Sequence, residues 1–307
     1  MSTGRAPHLG PLLTAMITPF DARGDLDLAA ATHLARHLVA QGNTGLAVAG
    51  STGEGTALED DEKLALFAAV KAAVGDSAAV LANAGSGNTR HSVALAKRAE
   101  GAGADAILAV VPYYCKPTQD GMVLHFSALA EATQLPIVVY NIPGRTGANM
   151  LPATLLELAR RYGNIAGVKE SSGDLTQFTA ILRDRPPNFG FWCGDDHLFL
   201  PSLALGADGL ISVAGHLCAR ELRAMHEAFE RGDVARAARM HASLAELFAA
   251  LFTTSNPVPM KWAMTELGVA AGPCRSPLGT LPVAHAERLR PLLDPYRERM
   301  RTTAHRS

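Results

Sequence analysis

The sequence predicts an α/β protein: a (β/α)8 TIM barrel with a C-terminal helical extension. Three observations point there. Eight short apolar runs start at intervals of roughly 20 to 35 residues, the spacing of βα units. Amphipathic stretches of helical period lie between the runs. The chain has 307 residues, and a closed barrel takes about 250, which leaves room for a tail.

In order, the runs are LLTAMI (12–17), GLAVAG (45–50), AAVLANA (78–84), AILAVV (106–111), PIVVYN (136–141), IAGVK (165–169), FGFWCG (189–194) and GLISV (209–213). Each is nearly all apolar and stops at glycine, proline or polar residues, as strands buried on both faces do. Segments 27–41, 59–74, 89–102, 120–133, 152–162, 174–184 and 196–205 read as helices. In the first, Leu28, Thr32, Ala35, Leu38 and Val39 are expected to face inward. Asp27, Thr89 and Asp174 are expected N-caps, since each side chain can accept from an unpaired N–H at a helix start. Gly42, Gly75 and Gly163 stand where helices should stop. An open doubly wound sheet is the structural alternative, but its phosphate-binding GxGxxG is missing after the first run. Beyond about residue 219 no strand-like run recurs, and 219–231, 233–252, 257–267 and 284–293 read as helices. The expected organisation is a barrel over 1–218 with a helical region over 219–307 packed on it.

Composition narrows the function classes. A net charge of -1 gives no reason to expect a nucleic-acid partner or an acidic membrane surface. No run approaches the roughly 18 apolar residues of a membrane span. The start, MSTGRAPHLGPLL, has no signal-peptide core, so a cytoplasmic protein is expected. Cys115, Cys193, Cys218 and Cys274 show no CxxC pairing and are expected to be free thiols. The eleven histidines form no HExxH or HxH group, so no metal site is expected. There is no GxSxG elbow.

In this fold reactive groups stand at the C-terminal ends of strands. Arginine supplies most of the positive charge; the lysines are only Lys63, Lys71, Lys97, Lys116, Lys169 and Lys261. Lys169 closes the sixth run, so its stem should start inside the barrel. A buried ammonium is costly without a partner, and a deprotonated lysine attacks carbonyl carbons. The plainer reading pairs Lys169 with an acid such as Glu170 or Asp195. Tyr140 ends the neighbouring run at the same level, where a phenol can relay protons or serve as an ordinary core tyrosine. Ser51 and Thr52 lie in a glycine-flanked turn that either holds a carboxylate or caps a helix. Arg145 sits in a Gly/Pro-rich loop, suited to a second carboxylate or to a surface ion pair.

The motifs GSTGEG (50–55), VPYYCKPTQDG (111–121), YNIPGRTG (140–147), GVKESSGD (167–174), CGDD (193–196), GLISV (209–213) and NPVPMKWAM (256–264) occur in order. Through them the chain resembles the dihydrodipicolinate synthase / N-acetylneuraminate lyase family of class I, pyruvate-dependent aldolases, over residues 14 to about 282. The resemblance implies that Lys169 forms a Schiff base with pyruvate, with no cofactor beyond that covalent imine. It implies that Tyr140 donates and accepts protons with Ser51. Thr52 would hold the pyruvate carboxylate near the backbone of Ile211. Tyr114 would enter a neighbouring subunit's site, in a homotetramer built as a dimer of dimers. Arg145 would receive the carboxylate of aspartate semialdehyde; neuraminate lyases lack it, so YNIPGRTG favours the synthase branch, which serves lysine and diaminopimelate biosynthesis.

The pattern departs from the family in places. Ser51 replaces a common threonine, His216 lies where synthases often have a nearby asparagine, and 272–277 matches loosely. A related lyase, aldolase or dehydratase acting on N-acetylneuraminate or a keto-deoxy sugar acid is the alternative, and a non-catalytic keto-acid-binding barrel is a further one. Lysine-inhibited members carry histidines and an acid-and-amide pair where this chain has Asp60, Lys63, Gly87 and His91, so weak or absent lysine inhibition is expected.

Overall fold

The computed structural model of the protein describes residues 9–304, with side chains through residue 300. Eight strands run parallel: β1 (Leu12–Ala15), β2 (Gly45–Val48), β3 (Ala79–Asn83), β4 (Ala106–Val110), β5 (Ile137–Asn141), β6 (Ile165–Glu170), β7 (Gly190–Cys193) and β8 (Gly209–Ser212). Each pairs with the next and β8 pairs with β1, so the expected barrel is closed. The apolar runs are unbroken because both faces of each strand are covered.

Alternation along the strands sorts the side chains. Leu13, Ala15, Ala47, Leu81, Leu108, Val138, Tyr140, Trp192 and Ile211 fill the interior. Leu12, Leu46, Val80, Ile107, Val139, Val168, Phe191 and Leu210 belong to the layer between strands and helices. Trp192 is the bulkiest interior group, and its indole N–H donates to the Gly10 carbonyl at 3.0 Å. Gly167 on β6 makes room for it: a Cβ there would lie 2.6 Å from the Trp192 ring and 2.7 Å from the Gly190 carbonyl oxygen.

Outside the strands lie α1 (Leu28–Ala40), α2 (Asp60–Val74), α3 (Thr89–Gly101), α4 (Gln119–Ala132), α5 (Pro143–Thr146), α6 (Pro152–Arg161), α7 (Leu175–Asp184), α8 (Phe199–Ala204) and α9 (Gly215–Glu230). Helix α9 runs across the boundary read at 218, bends at Cys218, and packs against β1 and α1. Then come α10 (Val234–Ala250), α11 (Val258–Glu266), α12 (Val283–Leu289) and α13 (Asp294–Ala304). Tyr296 and Met300 of α13 join the main core.

Several local expectations shift. The buried face of α1 contains Ala31, Leu34, Ala35 and Leu38, whereas Leu28 in the first turn is 36% exposed. Asp27 and Asp174 cap α1 and α7 as expected, but α3 is capped by Asn88, which accepts from the His91 N–H at 3.1 Å. Thr89 is instead the first helical residue, bonded to His125 Nδ1 at 2.9 Å. Segment 196–205 is a 3-10 turn (Asp196–Leu198) followed by the short α8. All four cysteines are free. Among the described residues, no helix is long and apolar enough to cross a membrane.

The Gly167 contact generates a test. Gly167→Ala should destabilise the protein by about 1–3 kcal/mol, because neither the Trp192 ring nor the Gly190 backbone can retreat freely. Gly163→Ala, where a Cβ meets nothing within 4 Å, should stay within about 0.5 kcal/mol. Denaturant unfolding of the two variants checks the difference.

Candidate active site

Strand register places the two central groups side by side. Tyr140 pairs with Lys169 across β5 and β6, and Val138 with Gly167. Because Val138 and Tyr140 face the interior, so does Lys169, which is 4% exposed. Its Nζ lies 4.3 Å from the centroid of the Tyr140 ring, within cation–π range. Among the described residues, the ammonium has no hydrogen bond or ion pair.

The acids considered as partners for Lys169 are engaged elsewhere or stand apart. Glu170, one residue on, lies on the opposite face of β6. Its carboxylate accepts from Asn141 Nδ2 at 3.1 Å, Gln177 Nε2 at 3.2 Å and the Ser172 N–H at 2.8 Å. Burial pushes its pKa up, and these bonds pull the other way. It ties β5, β6 and α7 together behind the site. Asp195 is also pushed up by burial, against the nearby charges of His197 and Lys169, but makes no ion pair with the lysine.

The turn after β2 carries Ser51 and Thr52. It closes tightly, with the Gly55 N–H donating to the Gly50 carbonyl at 3.0 Å. A Cβ on Gly55 would lie 1.9 Å from the Ala49 carbonyl oxygen, so only glycine fits. The chain's far end locks this turn. Glu54 and Lys261 form an ion pair at 2.6 Å with side chains 1% and 2% exposed. Lys261 also donates to the Pro273 carbonyl at 2.7 Å and stands 4.2 Å from the Phe20 ring centroid. Burial lowers the Lys261 pKa, with Glu54 opposing. The second Glu54 oxygen accepts from the Arg275 N–H at 2.8 Å, while the Arg275 guanidinium grips Glu62 at 2.5 Å.

The same segment reaches the substrate-binding candidates. Asn256 Nδ2 donates to the Thr52 hydroxyl oxygen at 2.8 Å, and Arg145 donates to the Asn256 carbonyl at 3.2 Å. Arg145 itself rides on the four-residue α5 turn. A cavity of about 810 Å³ opens here; Ser51, Tyr113, Tyr140, Arg145 and Asn256 line it, and so do Asp60, Lys63, Gly87 and His91. Lys169 lies against the Tyr140 ring rather than in the cavity wall. Ile211 is fully buried within the barrel on β8. Tyr114 is the outlier: it is 93% exposed, has φ +70°, and does not line this chain's cavity.

Below the rim of β8, Asp196 accepts from the Ser212 hydroxyl and from the Val213 and Ala214 N–H groups at 3.2 and 3.0 Å. His216 donates from Nδ1 to the Val213 carbonyl at 2.8 Å and accepts the Ile17 N–H at Nε2 at 3.1 Å. Burial lowers its pKa to about 4, so it stays neutral and joins the segments that follow β1 and β8. This gives His216 a structural role that its sequence position did not reveal. Among the described residues, no group of three or more His, Cys, Asp or Glu side chains is placed to hold a metal ion.

Residues 8–295 match the model of the dihydrodipicolinate synthetase family. The chain belongs to this family. It is 54% identical over 269 residues to a 4-hydroxy-tetrahydrodipicolinate synthase of Moorella thermoacetica, covering 88% of this chain and 92% of the relative. It is 48% identical over 284 residues to the enzyme of the same name from Desulforudis audaxviator, covering 92% and 96%. Among solved structures it resembles the dihydrodipicolinate synthase of Cyanidioschyzon merolae with lysine bound, with a TM-score of 0.91, 42% identity, and coverage of 92% of this chain and 97% of the other. The resemblance read from the motifs and the family found agree.

Within the dihydrodipicolinate synthetase family framework, the sequence reading missed the links that close the site. NPVPMKWAM was recognised as a motif, but neither Asn256 nor Lys261 received a role. The scarcity of lysine was the available signal for Lys261; nothing marked Asn256 as a partner of Thr52. The buried pair makes a prediction. Lys261→Met strands the Glu54 carboxylate and should cost about 3–5 kcal/mol, whereas adding Glu54→Met to it should recover a large part of the loss. Denaturant midpoints of the single and double variants measure both.

Proposed function

We propose that the protein is a 4-hydroxy-tetrahydrodipicolinate synthase that condenses pyruvate with aspartate semialdehyde through an imine on Lys169. The observation that carries this reading is a lysine inside the barrel, in register with Tyr140 and, among the described residues, without a hydrogen bond or ion pair to a carboxylate. An amine so placed has no ion pair to break before attacking a carbonyl.

In the proposed sequence the Lys169 amine adds to the pyruvate keto carbon, and water leaves as the imine forms. Tyr140 and Ser51 pass the protons, completed by Tyr114 of a neighbouring subunit. The Thr52 hydroxyl and the backbone at Ile211 hold the pyruvate carboxylate. Loss of a methyl proton gives the enamine, whose carbon attacks the semialdehyde carbonyl. The semialdehyde's amine then displaces Lys169 from the imine, closing the ring and freeing the lysine. Arg145 receives the semialdehyde carboxylate: among the described residues the only hydrogen bond of its guanidinium is to a backbone carbonyl, so its charge is left for a ligand.

The exposure of Tyr114 supports a shared site in a homo-oligomer, a tetramer arranged as a dimer of dimers. The protein acts in the cytoplasm, in lysine and diaminopimelate synthesis, with no cofactor beyond the covalent imine. Asp60 already pairs with Lys63 Nζ at 3.3 Å and hydrogen-bonds His91 Nε2 at 2.8 Å. With Asp60 so engaged it is poorly placed to take a lysine ligand's ammonium, which supports weak or absent feedback by lysine.

Borohydride reduction with pyruvate should leave one pyruvyl adduct on Lys169 by mass spectrometry, and none in Lys169→Ala; an adduct surviving that substitution would refute the mechanism. Arg145→Ala should lower kcat/KM for aspartate semialdehyde about 100-fold while pyruvate trapping persists. Intact semialdehyde turnover in that variant would shift the assignment to another aldehyde. In a coupled assay, micromolar lysine should leave the rate unchanged; inhibition in that range would overturn the regulatory reading.

A further inference from the structure

Asn256 touches both candidate carboxylate sites through different atoms. Its side-chain amide donates to the Thr52 hydroxyl oxygen at 2.8 Å, and its backbone carbonyl accepts from Arg145 at 3.2 Å. Asn256 is 6% exposed and Thr52 2% exposed, so water does not compete freely for either. A hydroxyl has one proton to give and lone pairs to accept with. When the amide fills an acceptor position of Thr52, the hydroxyl proton is left to donate elsewhere. Thr52 has no other hydrogen bond among the described residues.

We propose that Asn256 is a positioning residue: it turns Thr52 into a dedicated donor to the keto-acid carboxylate, while its backbone independently orients Arg145 for the second substrate. This rests on the proposed imine chemistry at Lys169. A donor aimed in advance at an anion costs no reorganisation when the ligand arrives. The C-terminal helical region therefore contributes to substrate affinity as well as to packing.

The two contacts separate cleanly because a side-chain substitution at 256 leaves the backbone carbonyl in place. Asn256→Ala removes the amide, so the Thr52 hydroxyl is no longer oriented. Asn256→Asp keeps the volume but presents an acceptor, so Thr52 turns its proton away from the substrate and a carboxylate faces the keto acid.

The test measures half-saturation by pyruvate in borohydride trapping on the full-length protein, alongside KM for aspartate semialdehyde. Half-saturation should rise about tenfold in Asn256→Ala, the scale of one hydrogen bond to a charged group, and further in Asn256→Asp. The semialdehyde KM should hold within about twofold in Asn256→Ala, a split that a general loss of structure would not produce. Thr52→Val should raise half-saturation by itself, and adding Asn256→Ala should then change it little. Pyruvate half-saturation unchanged in Asn256→Asp would mean that Thr52 donates to residue 256, and overturns the proposal. So would variants that form no folded, trappable protein at saturating pyruvate, since residue 256 would then serve folding. Failure of the wild type to trap pyruvate would refute the imine chemistry itself, a result distinct from these.

Discussion

Alternation along eight short parallel strands is the constraint from which the rest follows. A strand sends successive side chains to opposite faces, and closure gives one face an interior that only a few groups can fill. On β6 this sends Val168 to the helix layer, Lys169 to the interior and Glu170 back out, where it ties three elements together. On β5 it brings Tyr140 to the lysine's side. A slip of one residue in β6 would exchange the lysine with its neighbours and leave a glutamate inside the barrel. The packing of Trp192 against Gly167 opposes such a slip, so a structural contact at mid-strand secures the inward position of Lys169 one step further along.

The site is also two-sided. Strand ends supply Lys169, Tyr140 and Ser51, while the segment from Asn256 to Arg275 supplies the groups that hold the β2 turn and Arg145. Burying Glu54 with Lys261 is not a cheap way to gain stability, since both ions lose their water. Its effect is geometric: the pair, the Arg275 N–H and the Phe20 ring fix the turn in one arrangement. Arg145 by contrast is held by a neutral carbonyl, which orients the guanidinium without consuming its charge.

The strands were legible because burial on both faces writes itself as unbroken apolar runs. Lys169 and Tyr140 were legible because a polar residue closing such a run has few places to go. The inward face of α1 was misread because Leu28 sits in the first turn, at the rim, where its apolar character is not used for burial. α5 escaped notice because four residues are too few to show a period, and α13 because its sequence is dominated by charge. Asn88 took the cap assigned to Thr89, a one-residue choice that propensity cannot settle. The links between Asn256 and Thr52 and between Lys261 and Glu54 join residues 204 and 207 apart. No local pattern records such a pairing; only the fold makes the partners neighbours.

That separation has a consequence for synthesis. Glu54 leaves the ribosome some two hundred residues before Lys261, and the strands that build the barrel wall emerge in between. Long-range closures of this kind come late in folding, because the intervening chain must first be ordered. Until 256–275 docks, Thr52 lacks its amide partner, Arg145 lacks its carbonyl, and the Glu54 carboxylate keeps its water. The candidate site therefore takes its final arrangement only after residues 256–275 have been made, and a barrel without them lacks these contacts.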